Sequence, residues 1–252
     1  MPGRSIILRT LFLFILSFFV CGCVTIYNPA TERKETLLID TKNEVSLGAD
    51  MDRELQAKFK FANDPGMLRR VETIGNRVAN YSDRQDLFYH FKVVKDKELN
   101  AFAIPGGFVY LNSALVEAAT DDELAGVIAH EIGHIAAKHS VKKLQTVLGY
   151  QILIGIITGA SGQASTSQAL DVVFNLVNLG YSRKDELLAD KLAVRYVRRA
   201  NYNPNAIITF FRKLQKDAEA KGQNYQVAFL SSHPAIEERI AYIEEQIRLN
   251  PY

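Results

Sequence analysis

Apolar positions in the first third of the chain recur at helical spacing. Between Glu44 and Phe61 they fall at Val45, Leu47, Met51, Leu55 and Phe59, which predicts an amphipathic helix. "NDPG" at 63–66 breaks it. A second helix is predicted from Met67 to about Tyr81, with Leu68, Val71, Ile74 and Val78 three and four residues apart. The period then changes. "LFYHFKVV" (87–94) alternates and is rich in β-formers, so it reads as a strand. "NAFAIPGGFVYLN" (100–112) is two short apolar stretches around Pro105, Gly106 and Gly107, the pattern of a hairpin.

Beyond Asn112 the pattern is helical again. Thr120 and Glu123 form a T-x-x-E capping box that opens a helix from about Asp121 to His139. Residues 144–160 are very apolar but contain glycines, and "SGQASTSQ" (161–168) is a small-polar loop. A long helix is predicted from Ala169 to Arg199, a break at "NYNPNA", and a last helix from Pro234 that buries Ile236, Ile240, Ile243 and Ile247. The sum is an α+β fold, mostly helical, with one small sheet.

The N-terminus carries a different pattern. Arg4 and Arg9 precede "LFLFILSFFV", which ends in "VCGC": a basic region, an apolar run and small residues, as in a secretory signal. The ending resembles a bacterial lipobox, with Cys21 where Ser, Ala or Thr is usual and Cys23 as the lipidated residue. The rival is an uncleaved anchor, but Arg9 leaves the run short of the ~20 apolar residues of a membrane span. The expected organisation is therefore a signal peptide at 1–22, a tether at 23–42 and one domain at 43–252. Removing Cys21 would leave Cys23 alone, so no disulfide could form within the mature chain. The anchor implies a membrane partner. Val24, rather than Asp, after the cysteine suits the periplasmic face of an outer membrane. Lys and Arg total 30 against 28 acidic residues, a net charge of +2, which argues against a dedicated nucleic-acid binder.

The chemistry concentrates in "VIAHEIGHIAAKHS" (127–140). His130-Glu131-Ile132-Gly133-His134 is H-E-x-x-H, and positions i and i+4 lie about 40° apart on one helix face. Two imidazoles there can converge on one zinc ion, with Glu131 beside a metal-bound water. His139 stands nine positions past His130, about 900° of turn, so it is expected at the surface near the helix C-terminus. A catalytic zinc takes three protein ligands and keeps one position open. "YSRKDELLAD" places Glu186 and Asp190 at i and i+4. In this context Glu186 reads as the third ligand and Asp190 as acceptor of the outer N–H of His130. His90, on a strand, reads as structural.

"HEIGH", "SRKDELLAD", "NAFAIPGGFVYLN" and "SSHPAIEER" together resemble the HtpX and CAAX-prenyl-protease type of zinc metallopeptidase, a gluzincin family. The resemblance runs over roughly residues 45–248. It extends to envelope lipoprotein peptidases and to the protease domain of envelope peptidases with tetratricopeptide repeats, a repeat domain this sequence lacks. It implies one zinc per chain, Glu131 as general base, and His233 and Arg239 as partners of the tetrahedral oxyanion. His233, expected at an N-cap before Pro234, could instead fill the fourth zinc position and hold the enzyme latent. The strand Gly107, Phe108, Val109, Tyr110 resembles the edge strand to which an extended or unfolded polypeptide substrate adds. The 144–160 segment lies where integral members place membrane helices; a lid, a membrane-surface contact and plain core are equal readings. The expected function is cleavage of misfolded or misassembled cell-envelope proteins. The rival is an envelope chaperone or assembly factor with a latent or structural zinc site.

Overall fold

The computed structural model describes residues 24–147, 180–221 and 228–249. The signal segment, Cys23, the 161–168 loop and most of the apolar 144–160 stretch lie outside the described residues.

The chain enters as a hairpin, which corrects the tether expected at 23–42. β1 (Val24–Asn28) pairs antiparallel with β2 (Arg33–Leu37), Val24 opposite Leu37 and Asn28 opposite Arg33. The sequence hid it because its support is remote. Glu35 pairs with Lys142 at 2.6 Å, the Leu38 N–H reaches Gln145 Oε1 at 2.7 Å, and Leu37 and Ile39 are buried.

α1 (Thr41–Lys58) is capped by Asp40, whose side chain accepts the Asn43 N–H at 2.8 Å. It buries Leu47, Met51 and Leu55 and leaves Val45 exposed. α2 (Pro65–Ala79) begins inside the expected break: Asp64 caps it and Pro65 takes the first turn, where its missing N–H is no loss.

The sheet has the order β3-β5-β4, with β3 (His90–Val94) parallel and β4 (Ala101–Ile104) antiparallel to β5 (Phe108–Asn112). The β4–β5 turn needs Gly106 and Gly107 at φ 83° and 95°, angles that side chains disfavour. Successive residues face opposite sides. Ala101, Ala103, Val109 and Leu111 join the larger core; Phe102, Ile104, Phe108 and Tyr110 join a second one with Leu47 and Met51 of α1. β5 is therefore buried on both faces and flanked on both edges. This overturns the expectation that Gly107–Tyr110 forms an edge strand. Among the described residues, β4 pairs on one side only.

α3 (Ser113–Ala118) leads to α4 (Asp121–Ala136), opened by the Thr120/Glu123 capping box. α4 stops three residues earlier than expected. Lys138 takes φ 56°, the chain reverses, and α5 (139–147) begins. α6 (Arg183–Arg199) starts behind a Ser182/Asp185 capping box, with Gly180 at φ 72°. So the helix expected from Ala169 begins at Arg183; residues 169–179 lie outside the described set. α7 (Asn205–Lys221), α8 (Ala228–Ser232) and α9 (Ile236–Leu249) complete the fold. α9 starts at Ile236 rather than Pro234 because Ala235 is left-handed, φ 64°. His233 consequently ends α8, its N–H donating to Phe229 O at 2.9 Å, and is no N-cap. α4 is the central helix, packed by α6, α2, α7 and the sheet. The fold is α+β and mostly helical. No helix among the described residues is long and apolar enough to cross a membrane.

Candidate metal centre

The site forms where α4 and α6 cross, and a glycine sets the distance. A Cβ on Gly133 would lie 2.9 Å from Ala189 O and 3.1 Å from Ala189 Cα, so only glycine lets the two helices meet this closely. That approach brings Glu186 and Asp190 against the faces of His130 and His134. His233 arrives from the end of α8 and Arg239 from the first turn of α9. These six side chains and Glu131 are each at most 1 % exposed.

Four donor atoms converge. His130 Nε2 lies 3.0 Å from His134 Nε2, and Glu186 oxygens lie 3.4 and 3.5 Å from those two nitrogens. His233 Nδ1 lies 3.3 Å from His130 Nε2 and 3.0 Å from Glu186 Oε1. Donors about 2.05 Å from a tetrahedral zinc stand about 3.3 Å from one another, so the spacing of His130, His134 and Glu186 fits the ion, and His233 Nδ1 brings the set of four within 4.8 Å. Tautomers point the same way. Asp190 Oδ1, 2.9 Å from His130 Nδ1, holds the proton on that outer nitrogen. The His130 Nε2 lone pair then faces the cluster beside the Glu186 carboxylate, an arrangement that favours a bound cation. Among the described residues this is the one group of such donors close enough for a metal.

Glu131 points into the same space, and neither carboxylate oxygen has a hydrogen-bond partner among the described residues. Burial raises its pKa, against the pull of His233 and His130. The His233 ring stands beside it, Nε2 to Oε1 at 3.5 Å. A fully buried carboxylate without a partner is costly unless a reacting group supplies one.

Arg239 does something other than expected. Its Nε and Nη2 each donate to Asp190 at 2.7 Å, Nη1 lies 2.9 Å from Glu186 Oε2, and the guanidinium sits 4.5 Å over the Phe211 ring. Nη1 also donates to His233 O at 3.2 Å and Nη2 lies 3.3 Å from His130 Nδ1, so its donors are taken up within the site and it is a buried clamp behind the donor set. Burial opposes the charge of Glu186, but His233 and Arg239 outweigh it and hold its pKa well below the usual carboxylate range.

His139 is a second correction. It is 3 % exposed, its Nδ1 2.8 Å from His134 Nδ1. The helical-wheel argument failed because the helix ends first: the Lys138 reversal returns His139 to the site. Tyr181 also escaped the sequence reading. Its ring stacks on His134 at 4.0 Å, and its hydroxyl meets Ser140 Oγ at 2.8 Å. Its one sequence signal is its place at the head of the Glu186 motif. His90 stacks on Phe108 in the sheet, 4.6 Å between centroids, consistent with a structural part.

A two-histidine, one-glutamate donor set on crossed helices, with a free glutamate beside it, defines a zinc metallopeptidase. The chain belongs to Peptidase family M48, whose profile matches residues 67–247. It is similar to Metalloprotease LoiP of Escherichia coli (strain K12), 32 % identical over 182 residues that cover 71 % of this chain and 70 % of that protein. It is similar to the Beta-barrel assembly-enhancing protease of the same organism, 27 % identical over 235 residues, 88 % of this chain but 47 % of that protein. It is also similar to the Mitochondrial metalloendopeptidase OMA1 of Schizosaccharomyces pombe, 30 % identical over 223 residues, 87 % of this chain and 65 % of that protein. The chain thus spans about half the length of the second of these relatives.

Proposed function

We propose that this metallopeptidase is a zinc endopeptidase of the HtpX and CAAX-prenyl-protease type that cleaves misfolded or misassembled cell-envelope proteins. The observation that carries the reading is Glu131, buried without a partner beside a four-donor cluster. The names of the bacterial relatives, a beta-barrel assembly-enhancing protease among them, support an envelope setting. The lipobox-like "VCGC" supports a mature chain that starts at Cys23 and is held by lipid to the periplasmic face of an outer membrane.

His130, His134 and Glu186 would hold the zinc. Zinc, when bound, polarises the scissile carbonyl and lowers the pKa of water. Glu131 takes the proton of the attacking water and passes it to the leaving amine. Asp190 fixes the His130 ring, and Arg239 holds Asp190 and Glu186 in place.

Of the two tasks considered for His233, the geometry supports latency. Its Nδ1 stands inside the donor cluster, where it would supply a fourth ligand that a substrate would displace. The α8 segment that carries it also reaches the start of β4, the Phe229 N–H donating to Leu99 O at 3.3 Å. One movement of α8 would therefore free both the His233 position and the Leu99 carbonyl that precedes β4. On the β4 edge we place the extended substrate. The Asn112 N–H donates to Asn100 O, and with a period of two the peptide groups of Ala101 and Ala103 point away from β5.

The test is cleavage of unfolded casein and of a folded control protein by wild type and His233→Ala. The reading expects casein alone to be cut, and faster by the variant, with zinc retained. Loss of cleavage in His233→Ala with zinc retained would make His233 an oxyanion partner instead. Zinc bound without cleavage by either protein would favour the chaperone reading.

A further inference from the structure

His130 and His134 are held from behind in different ways. His130 meets a carboxylate directly, Asp190. His134 meets another histidine, and a carboxylate stands one step further back. His139 Nδ1 is 2.8 Å from His134 Nδ1, and on its far side His139 Nε2 is 3.4 Å from Asp185 Oδ1.

Two tautomer arrangements fit a pair of facing Nδ1 atoms. In the first, His139 carries its proton on Nδ1 and donates to His134. That puts the His134 proton on Nε2, aimed into the donor cluster, and His134 could not ligate. In the second, His139 carries its proton on Nε2 and its Nδ1 accepts from His134. The His134 Nε2 lone pair is then free for the metal. Asp185 selects between them, because its negative charge lies at His139 Nε2 and favours a proton there. Asp185 is itself fixed: its Oδ2 accepts from the Ser182 N–H at 3.2 Å and from Ser182 Oγ at 2.7 Å in the box that opens α6.

The backbone is built to deliver this ring. Lys138 adopts φ 56° immediately before His139, and its ammonium is buried against Glu44 of α1, 1 % exposed and also paired with Arg84 at 3.1 Å. A buried ion pair thus anchors the left-handed residue that turns the chain back toward His134.

We infer that His139 is a positioning residue of the metal centre: its Nδ1 accepts the outer N–H of His134, and Asp185 sets the tautomer that permits it. The inference rests on the zinc reading of the site. It adds a second outer partner, independent of Asp190, and gives the capping residue Asp185 a role in metal affinity.

The experiment measures zinc affinity by competition with a chromophoric chelator, and melting of the metal-free proteins, for wild type, His139→Asn, His139→Leu and Asp185→Asn. In His139→Asn the amide oxygen can take the place of Nδ1. His139→Leu is expected to weaken zinc binding about 10- to 100-fold, as loss of an outer partner does. His139→Asn should stay within about threefold of wild type, and Asp185→Asn should fall between the two. Zinc affinity unchanged in His139→Leu would overturn the inference. So would equal losses in His139→Asn and His139→Leu when both metal-free proteins melt together. If His139→Leu does not fold, a several-fold loss in Asp185→Asn beside a near-normal His139→Asn supports the inference, and an unchanged Asp185→Asn overturns it. A wild type that binds no zinc defeats the metal-centre reading itself, which separates that failure from this one.

Discussion

Arg239 shows best what a single residue does in this site. Two buried carboxylates, Asp190 and Glu186, share its guanidinium, and each needs a cation to stay ionised out of water. Replacing it with Met of similar length removes that cation and strands both charges. We predict that Arg239→Met destabilises the metal-free protein by about 3–5 kcal/mol, read from urea unfolding, as other broken buried pairs do. A cost below about 1 kcal/mol would mean the pair is solvated and the clamp is not real. Residue-level legibility was uneven for a physical reason. His130, Glu131 and His134 share one helix, as do Glu186 and Asp190, so spacing alone carried them. Arg239 was noticed but misassigned, since nothing local says that its donors turn toward α6. His139 was misplaced because one left-handed residue, Lys138, cancels the helix geometry on which its placement rested.

At the scale of elements the critical feature is the α4–α6 crossing. A methyl group on Gly133 would meet the Ala189 backbone rather than a movable side chain. Gly133→Ala should push α6 outward, cost about 1–3 kcal/mol of stability from overpacking, and lower zinc content at matched free zinc while leaving helical circular dichroism unchanged. Wild-type zinc content in that variant would show that the helices tolerate separation. Helices with clear periods were legible at this scale: α1, α2 and α4 appear close to where spacing puts them, and the capping box at Thr120 marks the start of α4. What the sequence concealed was pairing. Strand order depends on which chain segment lies beside which, so β5 passed for an edge. The β1–β2 hairpin passed for a tether because its anchors, Lys142 and Gln145, are more than a hundred residues away.

The described residues form two cores divided by a sheet, and the smaller core contains a buried polar knot. Tyr110 of β5 donates to Asp52 Oδ1 of α1 at 2.6 Å, and Lys92 of β3 pairs with the same carboxylate. Burial pushes the Asp52 pKa up, but Lys92, Tyr110 and Gln56 outweigh it, so it ends below its ordinary 3.8. A carboxylate with a depressed folded pKa contributes stability above its unfolded pKa, and loses it as pH falls through the folded value. The stability difference between wild type and Asp52→Asn should therefore be constant above about pH 5 and shrink below about pH 4. Urea midpoints from pH 3 to 7 measure it; a difference that grows on acidification would contradict the assignment. Glu35, Asp86 and Glu123 are depressed in the same direction by Lys142, Arg84 and Lys213, so the fold as a whole should loosen in acid.

The central claim is that Glu131 is the base of a hydrolytic zinc centre and not a structural carboxylate. Its most direct test compares full-length wild type and Glu131→Gln for bound zinc and for the rate of casein cleavage. Glutamine keeps the shape and removes the charge and the basicity. The account predicts one zinc per chain in both proteins and cleavage by the variant at least about 100-fold slower. Cleavage by Glu131→Gln at the wild-type rate, with zinc in place, would contradict it.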